Sequence, residues 1–246
     1  MAYYEGFIVP VPKANREEYR KHAAEAAPLF HEFGATRHVE AWASDVPEGK
    51  VTDFRMAVNA KDDEDVVFSW FEYPDKATRD AANAKMMSDP RMKEMGAAMP
   101  FDGKRMIMGG FDGFVEEGRQ QGGYTDGFVV PVPESKKDAY RELAANMAAK
   151  FRDHGATRVV EALSDDVPKG EVTDFYRAVK AEDDEKVVFS FIEWPDKDIR
   201  DQAWQKIMSD ETMNPEGDMP FSGQRMFWGG FEPIVDSEPA RQRENA

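Results

Sequence analysis

The sequence predicts an α+β fold in which two ferredoxin-like repeats, each with the order β-α-β-β-α-β, pack sheet to sheet. Three observations support this prediction. The chain repeats itself at a spacing of 121 residues, strand and helix patterns alternate within each copy, and predicted strands carry apolar residues on the face that the helices leave bare. A bare apolar face needs a partner, and the second copy is the nearest one because it is covalently linked.

The two copies match collinearly along almost their whole length. Gly6–Pro12 returns as Gly127–Pro133, and four further segments match in the same order. These are 34–37 with 155–158, 51–54 with 172–175, 66–69 with 187–190, and 87–89 with 208–210. The predicted organisation is a first repeat at 1–115, a polar, glycine-rich linker at 116–123, a second repeat at 124–235 and a loose tail at 236–246.

The first part of each copy is predicted to form a strand, a helix and a second strand. In the first copy a β-rich run occupies residues 3–11. A helix is expected from Lys13 to Phe33, because apolar residues recur along one side of it, and Gly34 ends it. That apolar stripe consists of Tyr19, Ala23, Ala26, Phe30 and Phe33. The next strand is expected from Thr36 to Ala43.

The second part of each copy is predicted to form a hairpin, a helix and a final strand. Alternating apolar residues place strands at Phe54–Ala60 and Asp65–Tyr73, on either side of an acidic turn. Asp75 is the expected N-cap of a helix that ends near Ser88. The last strand is expected at Lys104–Phe114, where a pair of glycines indicates a bulge.

The segment at residues 89–103 is long for a connection within a compact domain. It carries Met92, Met95 and Met99, whose flexible side chains adapt to irregular apolar surfaces. We expect these methionines to pack across the interface between the two copies, and a lid over a pocket is the alternative.

The composition favours a cytoplasmic protein that binds neither nucleic acid nor membranes. The formal net charge is -16, and such a surface repels phosphate backbones and anionic lipids. The sequence contains no apolar run of the roughly eighteen residues that a membrane-spanning helix needs. It also contains no cysteine, which excludes disulfides and thiol nucleophiles and is typical of a reducing compartment.

Four segments of the first copy resemble the YbaA-like family of bacterial domains of unknown function. They are Tyr4–Pro12 (YEGFIVPVP), Val66–Trp70 (VVFSW), Met87–Pro90 (MSDP) and Met99–Met106 (MPFDGKRM). The second copy departs from this pattern after Asp210, where Glu211 takes the place of Pro90 and residues 214–216 take the place of 93–95.

The resemblance implies more about assembly than about chemistry. The family belongs to the dimeric α/β-barrel superfamily, and its members are typically single domains that pair sheet to sheet as homodimers. The resemblance therefore implies that this chain is an intramolecular dimeric α/β barrel, a fused dimer. The wider superfamily includes cofactor-free monooxygenases and isomerase-like enzymes, whose pockets lie between sheet and helices, but a shared fold does not establish a shared reaction.

The candidate catalytic residues lie in the first copy. Glu40 follows His38 and precedes Trp42 on one strand face, and a carboxylate between such neighbours could act as a general acid or base. His22 and Tyr19 fall one turn apart on the inner side of the first helix. Together these groups could abstract a proton from an activated carbon, as a cofactor-free oxygenase requires.

Further residues are candidates for ligand binding. Glu161 and Tyr140 are the counterparts of the glutamate and tyrosine in the second copy, and Trp42, Arg105 and Arg225 complete the set. The structural alternative is that Arg105 or Arg225 pairs with the buried glutamate of its copy. For His22, replaced by Leu143 in the second copy, the alternative is an amphipathic residue at a helix edge.

Other acidic residues are expected to have structural roles. Glu72 and Glu193 close apolar rows just before prolines, so exposure at a strand end is expected. Asp53 and Asp174 precede predicted strands and are expected to be turn or capping residues. The histidines lack metal-ligand spacing, and no nucleotide-binding motif occurs, so the sequence predicts neither a metal site nor a cofactor.

Three functions remain open at this point. The leading one is binding of a small apolar or aromatic molecule in a pocket of each half. The second is catalysis as a cofactor-free monooxygenase or isomerase, and the third is a non-catalytic interaction or stress-response module. A roomy apolar cavity without convergent polar groups favours the first, a closed cavity that holds Glu40 and His22 favours the second, and a dry packed core favours the third.

Overall fold

The computed structural model describes residues 1–120, 122–209 and 218–238. The strands are β1 (Tyr3–Pro12), β2 (Arg37–Asp45), β3 (Glu64–Tyr73), β4 (Ile107–Gly118), β5 (Tyr124–Pro133), β6 (Arg158–Asp166), β7 (Glu185–Trp194) and β8 (Phe227–Ser237). The helices are α1 (Arg16–Phe33), α2 (Phe54–Ala57), α3 (Lys76–Ser88), α4 (Pro90–Ala97), α5 (Lys137–Asp153), α6 (Phe175–Ala178) and α7 (Lys197–Ser209). Among these helices, none is both long and apolar enough to cross a membrane.

The strands close into an antiparallel barrel with the order β1-β3-β2-β8-β5-β7-β6-β4. Within the first copy the order is β4-β1-β3-β2, and the second copy repeats it. The two sheets join at both edges, because β2 pairs with β8 and β4 pairs with β6. The predicted α+β class is confirmed, and edge pairing between the copies adds a contact that the sequence prediction did not include.

The barrel interior is the apolar face that the helices leave bare. Phe68 of the first copy stacks on Phe189 of the second, with ring centroids 4.6 Å apart. Trp70 stacks on Phe191 in the same way, at 4.3 Å. All four rings are fully buried, so each copy covers the apolar face of the other.

The predicted strand at Phe54–Ala60 is wrong. This segment begins with the short helix α2, whose N-cap Asp53 accepts a hydrogen bond from the Met56 backbone N–H at 2.7 Å. Asn59 then adopts a left-handed backbone with φ of 49°, which asparagine tolerates better than most residues. The expected capping roles of Asp53 and Asp174 are confirmed, because Asp174 caps α6 in the same way.

The segment at residues 89–103 is also more ordered than predicted. Asp89 caps the helix α4 by accepting a hydrogen bond from the Arg91 backbone N–H, and Pro90 occupies the first turn, where its missing N–H costs nothing. In β4 the pairing register with β6 shifts between Gly110 and Phe111, which agrees with the bulge predicted at the glycine pair.

Two strands extend beyond the predicted limits of the repeats. β4 continues to Gly118, into the range predicted as linker, and β8 continues to Ser237, into the predicted tail. The departures of the second copy at Glu211 and residues 214–216 lie outside the described residues, as do residues 239–246 of the tail.

Four buried charged residues form an ion-pair network between the copies. Arg37 of the first copy donates two hydrogen bonds to Glu193 of the second, at 2.6 and 3.0 Å. Arg158 of the second donates two to Glu72 of the first, at 2.7 and 2.9 Å. Each arginine thus binds the glutamate of the other copy. We call these four residues the central network.

The expectation that Glu72 and Glu193 are exposed is wrong, since their exposed fractions are only 6% and 1%. Each glutamate lies at the end of a strand in its own copy, but the arginine of the other copy covers it. Desolvation alone would raise the pKa of Glu72, but the hydrogen bonds and charges of Arg158 and Arg37 outweigh it and hold that pKa below its usual value.

Candidate functional site

A cavity of about 380 Å³ lies in the first copy, between the outer face of the sheet and the helices α1, α3 and α4. Its walls are mostly apolar, because strand residues such as Phe7 and Phe71 face helix residues such as Ala23 and Ala26. Successive side chains of a strand point to opposite faces of the sheet. Phe7 and Phe71 therefore lie on the outside of the barrel, away from its buried interior. We call this space the first cavity.

Glu40 borders the first cavity and is held by two neighbours. The Tyr19 hydroxyl, on α1, donates a hydrogen bond to Glu40 Oε2 at 2.6 Å. His38 Nε2, two residues earlier on β2, lies 2.8 Å from Glu40 Oε1. Burial raises the pKa of Tyr19 well above its usual value, and the charge of Glu40 adds to this effect. Tyr19 therefore stays neutral and acts as a donor.

His38 is a site residue that the sequence interpretation did not select. It is fully buried between the rings of Phe30 and Phe71, and within the described residues its Nδ1 has no hydrogen-bond partner. The spacing of two residues on a strand places His38 on the same face as Glu40. That spacing was the available signal, but histidine beside a glutamate is too common a pattern to stand out.

The other residues predicted for the first copy divide into two groups. His22 borders the first cavity, on the same side as Tyr19. Trp42 does not border it: its ring packs against Tyr19 at 6.4 Å, and its indole N–H donates to Asp65 at 3.2 Å. Trp42 thus contacts Tyr19 but does not line the first cavity.

The arginines predicted to bind ligand lie elsewhere. Arg105 donates two hydrogen bonds to Glu64, both at 2.6 Å, and Arg225 binds Glu185 with two equally short bonds. Neither arginine is among the described residues that border a cavity of this kind. The alternative that they pair with Glu40 or Glu161 is wrong, because an acidic residue at the start of the neighbouring strand β3 or β7 is closer.

The second copy has a smaller cavity of about 190 Å³ in the corresponding place. The Tyr140 hydroxyl donates to Glu161 Oε2 at 2.9 Å, as Tyr19 does to Glu40. Val159 replaces His38, however, and Leu143 replaces His22. We call this space the second cavity.

Glu161 has a strongly perturbed acidity. Desolvation raises its pKa to about 7, although hydrogen bonds from Ser190 and Tyr140 work in the opposite direction. Removal of water from the carboxylate therefore outweighs both hydrogen bonds.

The methionines of residues 89–103 line the first cavity, so the expectation that they pack across the interface between the copies is wrong. Met92, Met95 and Met99 form one wall. The helix α4 that carries the first two is tied to α1 by Arg91, which binds Asp89 at 2.6 Å and Glu32 at 3.0 Å. This part of the molecule agrees with the alternative of a cover over a pocket.

Glu5 on β1 also borders the first cavity and was not selected from the sequence. It is 2% exposed, and Asn83 donates one hydrogen bond to it at 2.9 Å. Arg79 approaches only to 4.0 Å. Desolvation raises the pKa of Glu5, and the contacts with Asn83 and Arg79 offset this only in part.

The arrangement can supply hydrogen-bond acceptors and a base to a small molecule in an apolar space. Within the described residues, no group of three or more histidine, aspartate or glutamate side chains is placed to hold a metal ion.

Solved structures with the same fold cover nearly the whole chain. A "Putative monooxygenase" from Lactobacillus acidophilus superimposes with a TM-score of 0.58 at 8% identity, over 96% of each chain. One of the same description from Fusobacterium nucleatum gives 0.55 at 11% identity, over 96% of this chain and 94% of that one. An anthrone oxidase-like protein gives 0.55 at 10% identity, over 100% and 96%. At these identities the likeness shows the fold alone.

Sequence relatives match one copy at a time. The "Uncharacterized protein YbaA" of Escherichia coli K12 is 68% identical over 117 residues, which is 48% of this chain and 100% of the relative. The protein of that name from Shigella flexneri gives the same values. The family of proteins of unknown function DUF1428 matches twice, at residues 2–103 and 123–223. The chain therefore belongs to the DUF1428 family and is a tandem duplication of its domain.

Proposed function

We propose that the first cavity binds a small, mostly apolar molecule and that Glu40 accepts a hydrogen bond from it. The observation that carries this proposal is a space of about 380 Å³ with apolar walls and a buried carboxylate at its edge. Binding sites for small molecules are typically of this size and character, with few polar groups that fix orientation.

The walls suit a ligand of variable shape. Methionine side chains can adopt many conformations at little cost and make favourable contacts with aromatic rings. The opposite wall offers the rings of Phe7, Phe30 and Phe71, which would pack against an aromatic or alkyl group. An open cavity of this kind supports binding over the alternative of a non-catalytic interaction or stress-response module.

Matched substitutions in the two copies test this proposal. Ala23 borders the first cavity and its counterpart Ala144 borders the second. Ala23→Phe would fill the first cavity, and Ala144→Phe would fill the second by the same chemistry. We expect phenols, anilines and naphthols to raise the melting temperature of the wild type and of Ala144→Phe, since a ligand specific to the folded state stabilises it.

Ala23→Phe should lose this ligand-induced shift while it retains the circular dichroism spectrum of the fold. An equal shift in Ala23→Phe and Ala144→Phe would contradict the proposal.

A second candidate function is proton abstraction by a cofactor-free oxygenase or isomerase. The support for it is the chain of contacts Tyr19–Glu40–His38, in which two groups hold a carboxylate in one orientation. A base so oriented could take a proton from an activated carbon at the edge of the cavity. The fold is similar to that of proteins described as monooxygenases, and this similarity supports the reaction by analogy only.

Oxygen uptake with an activated phenol or anthrone would test the second candidate. If the first copy alone is catalytic, Glu40→Gln and His22→Leu should abolish turnover, and Glu161→Gln should leave it intact. Equal losses from substitutions in both copies would contradict that assignment.

We also propose a cytoplasmic location and a ferredoxin-like form for each copy. The absence of cysteine from the sequence supports the location. The strand order β4-β1-β3-β2, with helices on the outer face, supports the ferredoxin-like interpretation.

A further inference from the structure

We propose that the ligand of the first cavity is an elongated molecule with an amine at each end, one bound by Glu40 and the other by Glu5. This inference rests on the proposed function and specifies the chemical class of its ligand. It begins from the presence of two buried carboxylates in one mostly apolar space.

The strand register separates the two glutamates that border the first cavity. Glu40 on β2 pairs with Ser69 on β3, and Ser69 pairs with Phe7 on β1. Glu5 lies two residues before Phe7 on the same face. Two strand spacings across the sheet and two residues along it separate the Cα atoms of Glu5 and Glu40 by about 12 Å.

The floor between the carboxylates is mostly apolar. Phe71 pairs with Glu5 across the sheet, and in the next row Ser69 lies between Phe7 and Glu40. Met86 and Met92 border the same space. A ligand that reaches from one carboxylate to the other must therefore have an apolar middle, because a polar one would lose its hydration without replacement.

Glu5 has acceptor capacity to spare. A carboxylate offers about four lone-pair sites, and among the described residues Glu5 accepts only the bond from Asn83. Arg79 binds Tyr3 and Asp166, each at 2.8 Å, more closely than it approaches Glu5. A buried carboxylate in this situation gains most from an ammonium donor.

The second copy provides the contrast. Asp126 stands where Glu5 stands, and Arg200, Trp194 and Trp204 donate hydrogen bonds to it at 2.8, 2.9 and 2.8 Å. It does not border the second cavity. In the first copy Tyr73 and Asn83 replace the two tryptophans, and this exchange leaves Glu5 facing the first cavity.

Long-range and local electrostatics both favour a cation. The net charge of -16 attracts cations toward any opening in the surface. Within the cavity, the faces of Phe7 and Phe71 add a favourable field for an ammonium group on its way to either carboxylate.

Calorimetric titration with defined amines tests the proposal. We expect α,ω-diaminooctane to bind the full chain about tenfold more tightly than octylamine, since each charged hydrogen bond adds about one order of magnitude. Octanediol and the shorter α,ω-diaminobutane should both bind more weakly than α,ω-diaminooctane. Glu5→Gln and Glu40→Gln should each reduce the affinity for the diamine to that for octylamine, and Glu161→Gln should leave it unchanged.

Asn83→Trp provides a second variant if Glu5→Gln fails to fold. It introduces the tryptophan of the second copy beside Glu5 and should weaken diamine binding by the same factor. Diamine binding no tighter than that of octylamine would overturn the proposal, as would an equal affinity for octanediol or an unchanged affinity in both Glu5→Gln and Asn83→Trp. If phenols and anilines still bind in those cases, the proposed function stands; if no probe binds, both fail.

Discussion

The same glutamate occupies two different environments in the two copies. Glu40 and Glu161 lie at equivalent strand positions and each accepts a hydrogen bond from an equivalent tyrosine. Of the two, Glu40 has a histidine beside it, whereas desolvation raises the pKa of Glu161 to about 7. The residue two positions before each glutamate, His38 or Val159, is therefore one of the differences between the two cavities.

Glu161→Gln should change how the stability of the protein depends on pH. The pKa of Glu161 is higher in the folded state, about 7 against 4.5, so the folded state binds this proton more tightly. The free energy of unfolding should therefore fall as pH rises from 4.5 through 7. Glutamine stays neutral, and above pH 7 the variant should be more stable than the wild type by about 1–3 kcal/mol.

Urea unfolding over this pH range would measure the difference, which should shrink toward pH 4.5. Tyr140→Phe is the matched comparison, because loss of a hydrogen bond that lowers the pKa should make the total fall in stability larger and extend it to higher pH. A parallel pH profile for Glu161→Gln and the wild type would show that the carboxylate is not desolvated.

At the scale of single elements, the sequence pattern predicted long helices better than short ones. The helix expected at Lys13–Phe33 is α1 at Arg16–Phe33, because five apolar residues on one side determine both its existence and its orientation. The helix α2 was missed because four residues are too few to show a period, and Phe54, Met56 and Val58 imitate a strand. A half-buried strand would bury Met56 on the same face as Phe54 and Val58, but Met56 is 49% exposed.

Asp89→Ala should loosen the helix α4 and weaken binding in the first cavity. Asp89 caps this helix and also binds Arg91, which ties the helix to α1. Loss of an N-cap costs about 1 kcal/mol, so the fold should survive while hydrogen exchange in residues 90–97 becomes faster.

Hydrogen exchange would measure the loosening of α4, and titration with an aniline would measure the change in affinity of the first cavity. Asp174→Ala is the control, because it removes the N-cap of α6, which does not border the first cavity. It should cost similar stability and leave ligand affinity unchanged. Unaltered exchange in α4 of Asp89→Ala would contradict the role of the cap.

At the scale of the whole molecule, the central network links the two copies reciprocally. The repeat predicted that one copy would cover the other, but matching of the copies cannot reveal that Arg37 binds Glu193 of the other copy more closely than Glu72 of its own, at 2.6 against 3.3 Å. Strand-end glutamates are usually exposed, so Glu72 and Glu193 were expected in solvent. Only the closed barrel, with its edge pairing, brings the arginine of one copy to the glutamate of the other.

Arg158→Met should destabilise the protein by about 3–5 kcal/mol, because it leaves the buried Glu72 without its main partner. The double variant Arg158→Met/Glu72→Met should recover most of this loss, since apolar residues of similar size tolerate the barrel interior. Denaturant unfolding of both single variants and the double variant gives the coupling energy. Additive losses would contradict a direct pairing between the two residues.

Cleavage of the connection between the copies should leave them associated. The pairs β2–β8 and β4–β6 and the stacked interior hold the halves together without it. A protease site introduced at residues 119–122 should give two fragments on a denaturing gel and one peak of unchanged size in gel filtration. Elution as two smaller species would show that the covalent link is needed for the barrel.

The reciprocal pairing has a consequence for how this protein can change over generations. In a homodimer of identical subunits, one altered codon would change both arginines of such a network at once. Each such mutation would therefore break both ion pairs. In the fused chain the same codon alters one arginine and leaves the other pair intact. Fusion therefore halves the penalty of each mutational step and lets one cavity acquire a new specificity while its sister preserves the scaffold.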